Sequence, residues 1–169
     1  MKTKSLTTAA ACASLALAAL FLSSLVPINR IFFAAAAGIF TAPALIEAGW
    51  KWAFIQFAAV FLLAFFILPV KSAALLYLLL FGWYAIAKYA IEHSINNHVL
   101  EIGCKLAVFN IALTGSFFAI NSILPLNDLW GNWLLLAILA MQPIFLVYDY
   151  AFSVCITIYL RRIQPLMHP

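Results

Sequence analysis

Charged residues are scarce in this chain. Only 8% of its 169 residues are Asp, Glu, Lys or Arg, whereas 67% are hydrophobic and the mean hydropathy is +1.11. A soluble domain of this length cannot bury so much apolar surface, so the composition excludes an ordinary soluble fold. The net charge of +4 is dispersed along the chain and forms no basic stripe, so we expect no nucleic-acid partner.

Cysteine and the signatures of membrane enzymes are also sparse. The three cysteines have no paired histidine spacing, so we expect no disulfide framework, no metal site and no cofactor. The sequence has no His-Glu-x-x-His helix, no Gly-x-Ser-x-Gly turn and no aspartate pair suited to a magnesium-bound pyrophosphate. An embedded enzyme needs ionisable groups inside its bundle, and few are available here. We therefore expect a protein without catalytic residues.

Long apolar runs fill most of the chain instead. A helix needs about 20 apolar residues to cross the bilayer core. On that measure the sequence predicts an all-α, polytopic membrane protein, a bundle of six transmembrane helices in one integral domain over 1–169. The predicted spans cover roughly 6–26, 31–46, 52–69, 73–92, 103–124 and 132–160. The first run could also be a secretory signal peptide, but its length of about 20 residues favours a retained helix.

Basic residues are distributed unevenly about these predicted spans. Arg30 and Lys71 lie on one side, and the other seven of the nine lie opposite: Lys2, Lys4, Lys51, Lys88, Lys105, Arg161 and Arg162. The positive-inside rule then predicts that both termini are cytoplasmic, in a bacterial cell membrane. The inward cations are expected to face anionic membrane lipids.

Asp149 is an ionisable residue within the sixth predicted span, flanked by two tyrosines. Such a residue is a functional candidate by default. The sixth helix is longer than the bilayer core, so Asp149 is expected near the inner interface, within reach of Lys105 or Lys88. We expect an intramembrane ion pair there. The alternative is a role in coupling or in substrate binding.

The stretch from Glu92 to Lys105 is the longest predicted inward connection. Two histidines and two glutamates within it could form a metal or acid–base cluster. Lys88 and Glu92 are four residues apart, as are Glu101 and Lys105, a spacing typical of paired, solvated helix ends. We therefore expect a solvated cytoplasmic loop.

Small residues recur at four-residue spacing in the first predicted span, where Ala9 precedes Ala13, and Ser14 precedes Ala18. Such a pattern lets another helix approach closely. We expect these four residues to form a helix contact, either with a neighbour inside the bundle or with a partner subunit.

A chain of this length with six spans, both ends cytoplasmic and the pair Ala9 and Ala13 resembles the substrate-binding S components of energy-coupling factor vitamin transporters. Its stretches from Tyr148 to Ala151 and from Arg161 to Ile163 are also similar to those of small uncharacterised six-span membrane proteins of Gram-positive bacteria. The first resemblance implies a metabolite-binding subunit that docks through its first helix onto a membrane scaffold subunit with two ATPases.

In such a subunit the ligand is bound near the outer face. The polar and aromatic residues that the predicted topology places there are Asn29, Arg30, Lys71, Asn121, Asn127, Asp128, Trp130 and Trp133. Arg30 and Lys71 favour a small anionic metabolite with a carboxylate or phosphate group. Ordinary interface anchoring of these residues is the alternative. For the whole chain, the alternative is a non-catalytic structural or assembly protein that acts through helix–helix contacts.

Overall fold

The computed structural model describes the backbone of residues 2–26, 29–123 and 133–167, and side chains within 5–26, 29–118 and 138–165. All regular structure in these ranges is helical. The α-helices are α1 (Lys2–Leu25), α2 (Arg30–Ile39), α3 (Thr41–Ala48), α4 (Trp50–Ile67), α5 (Lys71–Leu76), α6 (Tyr84–Ser94), α7 (His98–Ile123), α8 (Trp133–Ile158) and α9 (Gln164–Met167). Two π-helical turns, Tyr77–Phe81 and Tyr159–Ile163, join α5 to α6 and α8 to α9.

Six helical stretches of the described chain are long and apolar enough to cross a membrane. They are span 1 (Ser5–Leu25), span 2 (Arg30–Ala48), span 3 (Trp50–Ile67), span 4 (Lys71–Ser94), span 5 (His98–Phe118) and span 6 (Ile138–Ile163). The prediction of an all-α chain with six candidate spans is confirmed. The largest shift of a helix start is in the fifth span, which begins at His98 and not near residue 103.

Spans 1 to 4 form the most closely packed part of the bundle. Their contacts are made largely by alanines with no exposed surface, including Ala16, Ala34, Ala37, Ala64 and Ala73. Short side chains allow helix axes to approach closely, which increases the dispersion contacts between the helices. This region provides the scaffold on which the remaining spans pack.

Spans 2 and 4 are both interrupted. Span 2 breaks at Phe40, between α2 and α3, where Pro43 lacks the N–H that would bond to the carbonyl four residues before it. In span 4 the Gly82 N–H donates to the Tyr77 carbonyl at 2.7 Å, the bond of a π-helical turn. The interruptions touch, because the Thr41 and Tyr77 hydroxyls are 3.5 Å apart.

Short turns connect neighbouring spans 2, 3 and 4. Gly49 alone separates α3 from α4 and has a φ of 84°, which residues other than glycine rarely adopt. The turn between spans 3 and 4 is stabilised by Lys71, whose ammonium donates to the carbonyls of Phe65 at 2.5 Å and Leu68 at 2.9 Å. Lys71 therefore caps the end of span 3.

Spans 5 and 6 pair through one stacked ring contact and one amide pair. The rings of Phe109 and Phe145 are stacked, with centroids 4.2 Å apart. Near them, the Asn110 amide donates to Gln142 Oε1 at 3.1 Å, and the Gln142 amide donates to Asn110 Oδ1 at 2.8 Å. Both amides also donate to carbonyls of their own helices, so each amide nitrogen has two hydrogen-bond acceptors.

Candidate functional site

Five ionisable side chains from three spans converge into what we call the charge cluster: Lys88 and Glu92 of span 4, Glu101 and Lys105 of span 5, and Asp149 of span 6. Lys105 Nζ lies 2.6 Å from Glu92 Oε1, 2.6 Å from Glu101 Oε1 and 3.5 Å from Asp149 Oδ2. Lys88 pairs with Asp149 and lies 2.9 Å from Glu92 Oε1. Each ammonium thus contacts carboxylates from at least two helices.

Local sequence explains how spans 4 and 5 position four of these groups. The α6 helix ends at Ser94, and α7 begins at His98, where the Asn97 side chain accepts a hydrogen bond from the Val99 N–H at 3.0 Å. This interaction helps the new helix to start early. The prediction of a solvated loop from Glu92 to Lys105 is therefore wrong, because both of those residues are helical and only 95–97 connect the helices.

Burial distinguishes the charge cluster from ordinary surface ion pairs. The Lys88 side chain is 2% exposed and that of Lys105 is 4% exposed. A buried ammonium without a partner would be strongly unfavourable. Tyr84 adds a further contact, since its hydroxyl donates to Asp149 Oδ1 at 2.6 Å. The cluster therefore joins spans 4, 5 and 6 through satisfied polar contacts.

An aromatic layer packs around Tyr84, the residue whose hydroxyl bonds to Asp149. The Tyr84 ring lies 5.5 Å from that of Phe145, 5.4 Å from that of Tyr148 and 5.6 Å from that of Phe152, between centroids. With Lys88 and Lys105 buried, these rings give the ion pair a less polar surrounding than water. The Coulomb attraction between Asp149 and its lysines is therefore stronger here than in bulk water.

The structure brings together the three residues expected to form the intramembrane ion pair. Asp149 contacts both candidate lysines, Lys88 and Lys105, and not only one of them. Sequence reasoning missed that Glu92, Glu101 and Tyr84 belong to the same site. The repeated four-residue spacing of acid and base was a usable signal, but it was assigned to solvated helix ends.

Three of the predicted ligand-binding residues fall on described side chains. Asn29 is exposed, and Arg30 is partly buried with an Nε atom that has no hydrogen-bond partner among the described residues. Lys71 is the cap of span 3. Arg30 begins α2 and Lys71 begins α5, and these two helices pack together. The backbone of Asn121 and Trp133 is helical, but their side chains lie outside the described set, as do Asn127, Asp128 and Trp130 altogether.

The small residues of span 1 divide between two faces. Ala9 is buried against α3 in the cluster of Cys12 and Ala44, and Ala13 packs partly buried against the main core. Ser14 and Ala18 are exposed, and the Ser14 hydroxyl donates to the Ala10 carbonyl at 3.0 Å. The four residues therefore do not form one contact surface, and only Ser14 and Ala18 are available to an outside helix.

Within the described parts of the chain, no group of three or more His, Cys, Asp or Glu residues is arranged to hold a metal ion. Cys12, Cys104 and Cys155 are free thiols. Comparisons with protein-family models, with curated proteins and with solved structures found no match to this chain.

Proposed function

We propose that this chain is the membrane-embedded, small-molecule binding subunit of a transporter that works with a separate energising module. The contact between two interrupted spans carries the proposal. Span 2 breaks at Phe40, span 4 carries the π-helical turn Tyr77–Phe81, and the hydroxyls of Thr41 and Tyr77 meet between them. Many transporters build substrate sites from discontinuous helices, and π-helical turns are frequent at functional sites.

Unpaired polar atoms near this contact support a binding role. Gln56 of span 3 is 3% exposed, and neither atom of its amide has a hydrogen-bond partner among the described residues. The ring of its neighbour Phe57 lies 5.8 Å from the ring of Tyr77. A buried amide without a partner is unfavourable by about 1–3 kcal/mol. A polar ligand group that bonded to Gln56 would remove this cost.

The chemistry at Arg30 favours an anionic ligand. Its buried Nε–H is unpartnered among the described residues, and guanidinium groups bind carboxylates and phosphates through paired N–H bonds. Lys71 begins the adjoining helix but already donates to two backbone carbonyls. Arg30 is therefore the more available of the two cations.

The proposed orientation places both termini in the cytoplasm of a bacterial cell. Arg30 and Lys71 then lie at the outer face, and the charge cluster lies towards the inner face. A scaffold subunit with ATPases would dock on the exposed face of span 1 at Ser14 and Ala18. Labelling of a cysteine placed at Asn97 from outside intact cells would contradict this orientation.

Ligand binding can be tested on protein purified in mild detergent. We expect native mass spectrometry to detect a retained small anion, which is lost in Arg30→Gln. The matched control is Lys51→Gln, which removes one cation from the opposite end and should keep the ligand. Both variants should melt at similar temperatures. A wild-type protein that carries no small molecule and gains no thermal stability from carboxylates or phosphates would overturn the binding role.

Docking can be tested on the same helix with two bulky substitutions. Ala18→Trp should leave the isolated chain folded but weaken its co-purification with ATPase-bearing partners, because overpacking a close contact costs about 1–3 kcal/mol. Leu15→Trp is the control, since Leu15 is also exposed on span 1 but is already large. Equal recovery of ATPases with both variants would exclude docking at Ala18.

A structural or assembly role is the second candidate. The charge cluster supports it, because each ammonium is satisfied by carboxylates of its own chain and offers no free group to a ligand. In that case Ser14 and Ala18 would bind another membrane protein without ATPases. Co-purification of a stable partner, with neither ATPases nor a small molecule, would favour this role over transport.

A further inference from the structure

An apolar crevice lies between spans 2 and 6. It is shallow and partly open, and it is lined by Ile39, Ala42, Pro43 and Ile46 of span 2 and by Cys155, Ile156 and Tyr159 of span 6. Pro43 lies in its wall, just after the break in span 2. None of the lining residues is charged. A hydrocarbon chain that lay along this shallow crevice would meet only apolar protein surface, which offers no partner to a polar metabolite.

Cations follow Tyr159, which lines the crevice, along the chain. The Tyr159 hydroxyl donates to Glu47 Oε1 at 3.4 Å, so the ends of spans 2 and 6 meet there. Arg161 and Arg162 follow in the same π-helical turn and are exposed. No ion pair joins either arginine to a carboxylate in the described part of the chain. Lys51, four residues after Glu47, is exposed as well.

Aromatic side chains mark the depth of this end of the bundle. The rings of Trp50 and Tyr89 are in edge contact, 5.8 Å apart, and both side chains are exposed. Exposed Trp and Tyr prefer the headgroup level of a bilayer. Trp50 directly precedes Lys51, so cations and aromatic rings lie together where phospholipid headgroups would be.

We propose that the crevice is a binding site for an anionic phospholipid of the inner leaflet, with one acyl chain along spans 2 and 6 and the phosphate on Arg161 and Arg162. A free phosphate would leave the apolar crevice unused, and a zwitterionic lipid would make less use of the unpaired cations. Basic groups beside spans on the cytoplasmic side commonly recognise such headgroups. The choice of leaflet rests on the orientation proposed above, but the site does not depend on a transport role.

The test measures lipid binding to the full chain in detergent by native mass spectrometry, with phosphatidylglycerol and phosphatidylcholine of equal chain length. We expect phosphatidylglycerol to bind at least tenfold more tightly. Each arginine should contribute about fivefold to the affinity, so the double variant Arg161→Gln/Arg162→Gln should bind phosphatidylglycerol about 25-fold more weakly. The matched change to lysine at both positions keeps the charge and should keep most of the affinity. Thermal melting of each variant checks that it is folded.

Two further measurements separate the lipid from other ligands. Phosphatidylglycerols of increasing acyl length should bind progressively more tightly, because each buried methylene adds to the affinity. Inorganic phosphate should not displace them. Equal affinity for the two headgroups, no loss in the glutamine double variant, no dependence on acyl length, or displacement by inorganic phosphate would each overturn the proposal.

Discussion

The two parts of the bundle are held together by different physical means. Each span contains an apolar stretch of 18 residues. In span 4, 44% of the residues of this stretch are buried, but only 17% in span 5 and 11% in span 6. Spans 1 to 4 pack through alanines and glycines at short distance. Spans 5 and 6 bury little of their described surface. The Asn110–Gln142 amide pair joins them to each other, and the charge cluster and the aromatic layer join them to span 4.

This difference is the one expected of a helix bundle that lies in a bilayer. In a bilayer, lipid tails are as apolar as the side chains, so burying a leucine gives little advantage. Helices must associate either through close packing of small residues or through polar bonds that lipid cannot replace. Spans 1 to 4 use the first means. Spans 5 and 6 depend far more on the second, so the two parts should respond in opposite ways to the same kinds of substitution.

The largest effect is expected from Asp149→Asn, which leaves Lys88 buried and short of a charged partner. We expect a loss of about 3–5 kcal/mol in the free energy of unfolding, the usual result of removing one member of a buried pair. Unfolding in detergent with increasing denaturant measures it. Adding Lys88→Met should recover much of the loss. A single variant as stable as the native chain would contradict a stabilising ion pair, and a loss of uptake or of partner response in that variant would then indicate a coupling role.

A smaller effect, with opposite signs in the two parts, is expected from Gly→Ala. A Cβ on Gly38 of span 2 would lie 2.5 Å from the Phe81 carbonyl oxygen, whereas one on Gly103 of span 5 meets no atom within 4 Å. Gly38→Ala should therefore destabilise the chain by about 1–3 kcal/mol. Gly103→Ala should stabilise α7 by up to about 1 kcal/mol. Thermal melting measures both variants. A shift of the two melting temperatures in the same direction would contradict the predicted difference between the two parts.

The Asn110–Gln142 pair should contribute less than the charge cluster. Hydrogen bonds between spans measured in other proteins average about 0.6 kcal/mol and reach about 1.7 kcal/mol. We expect a coupling energy in that range from a double-mutant cycle with Asn110→Leu and Gln142→Leu. The double variant should be more stable than the sum of the single losses predicts. Strict additivity would mean that the two amides do not stabilise each other.

The smallest effect is expected on the outer face of span 1. Within the described residues, the Ser14 hydroxyl bonds to the Ala10 carbonyl of its own helix, so Ser14→Ala should change folding stability by less than about 0.5 kcal/mol. Ala16→Ser serves as the contrast, since Ala16 has no exposed surface and a hydroxyl there has to be buried. A large loss in the Ser14 variant would show that this face is already covered within the chain.

The sequence predicts where the helices lie better than it predicts the irregular turns within them. Apolar length located all six candidate spans. Gly49 and Pro69 lie just outside observed helix ends, where these residue types are common. The break at Phe40 had a local signal in Pro43, which sequence reasoning did not use. The π-helical turn over Tyr77–Phe81 has no comparable signal, because it depends on contacts with span 2 that no local pattern of residues records.

Site prediction failed where burial depends on packing between spans. Lys88 and Lys105 occupy helix ends in the sequence, where lysines are normally solvated. Both are buried because Asp149 and two glutamates from other turns surround them. Sequence reasoning placed Asp149 near these lysines from helix length alone. It could not assign the exposed and buried faces of span 1, since alanines occur on both.

The cap on span 3 has a consequence for how the chain enters a membrane. In the proposed orientation, Lys71 is one of two cations that must be translocated, which opposes the positive-inside bias. Its ammonium is held by carbonyls at the negative end of a helix dipole, so part of its charge is compensated before any partner arrives. We therefore expect spans 3 and 4 to insert together as a helical hairpin, with the Lys71 charge at its turn partly compensated by the carbonyls of span 3. Moving this lysine to Ser72, away from the carbonyls, should lower the fraction of chains that reach the correct orientation, as read by cysteine labelling at Asn97.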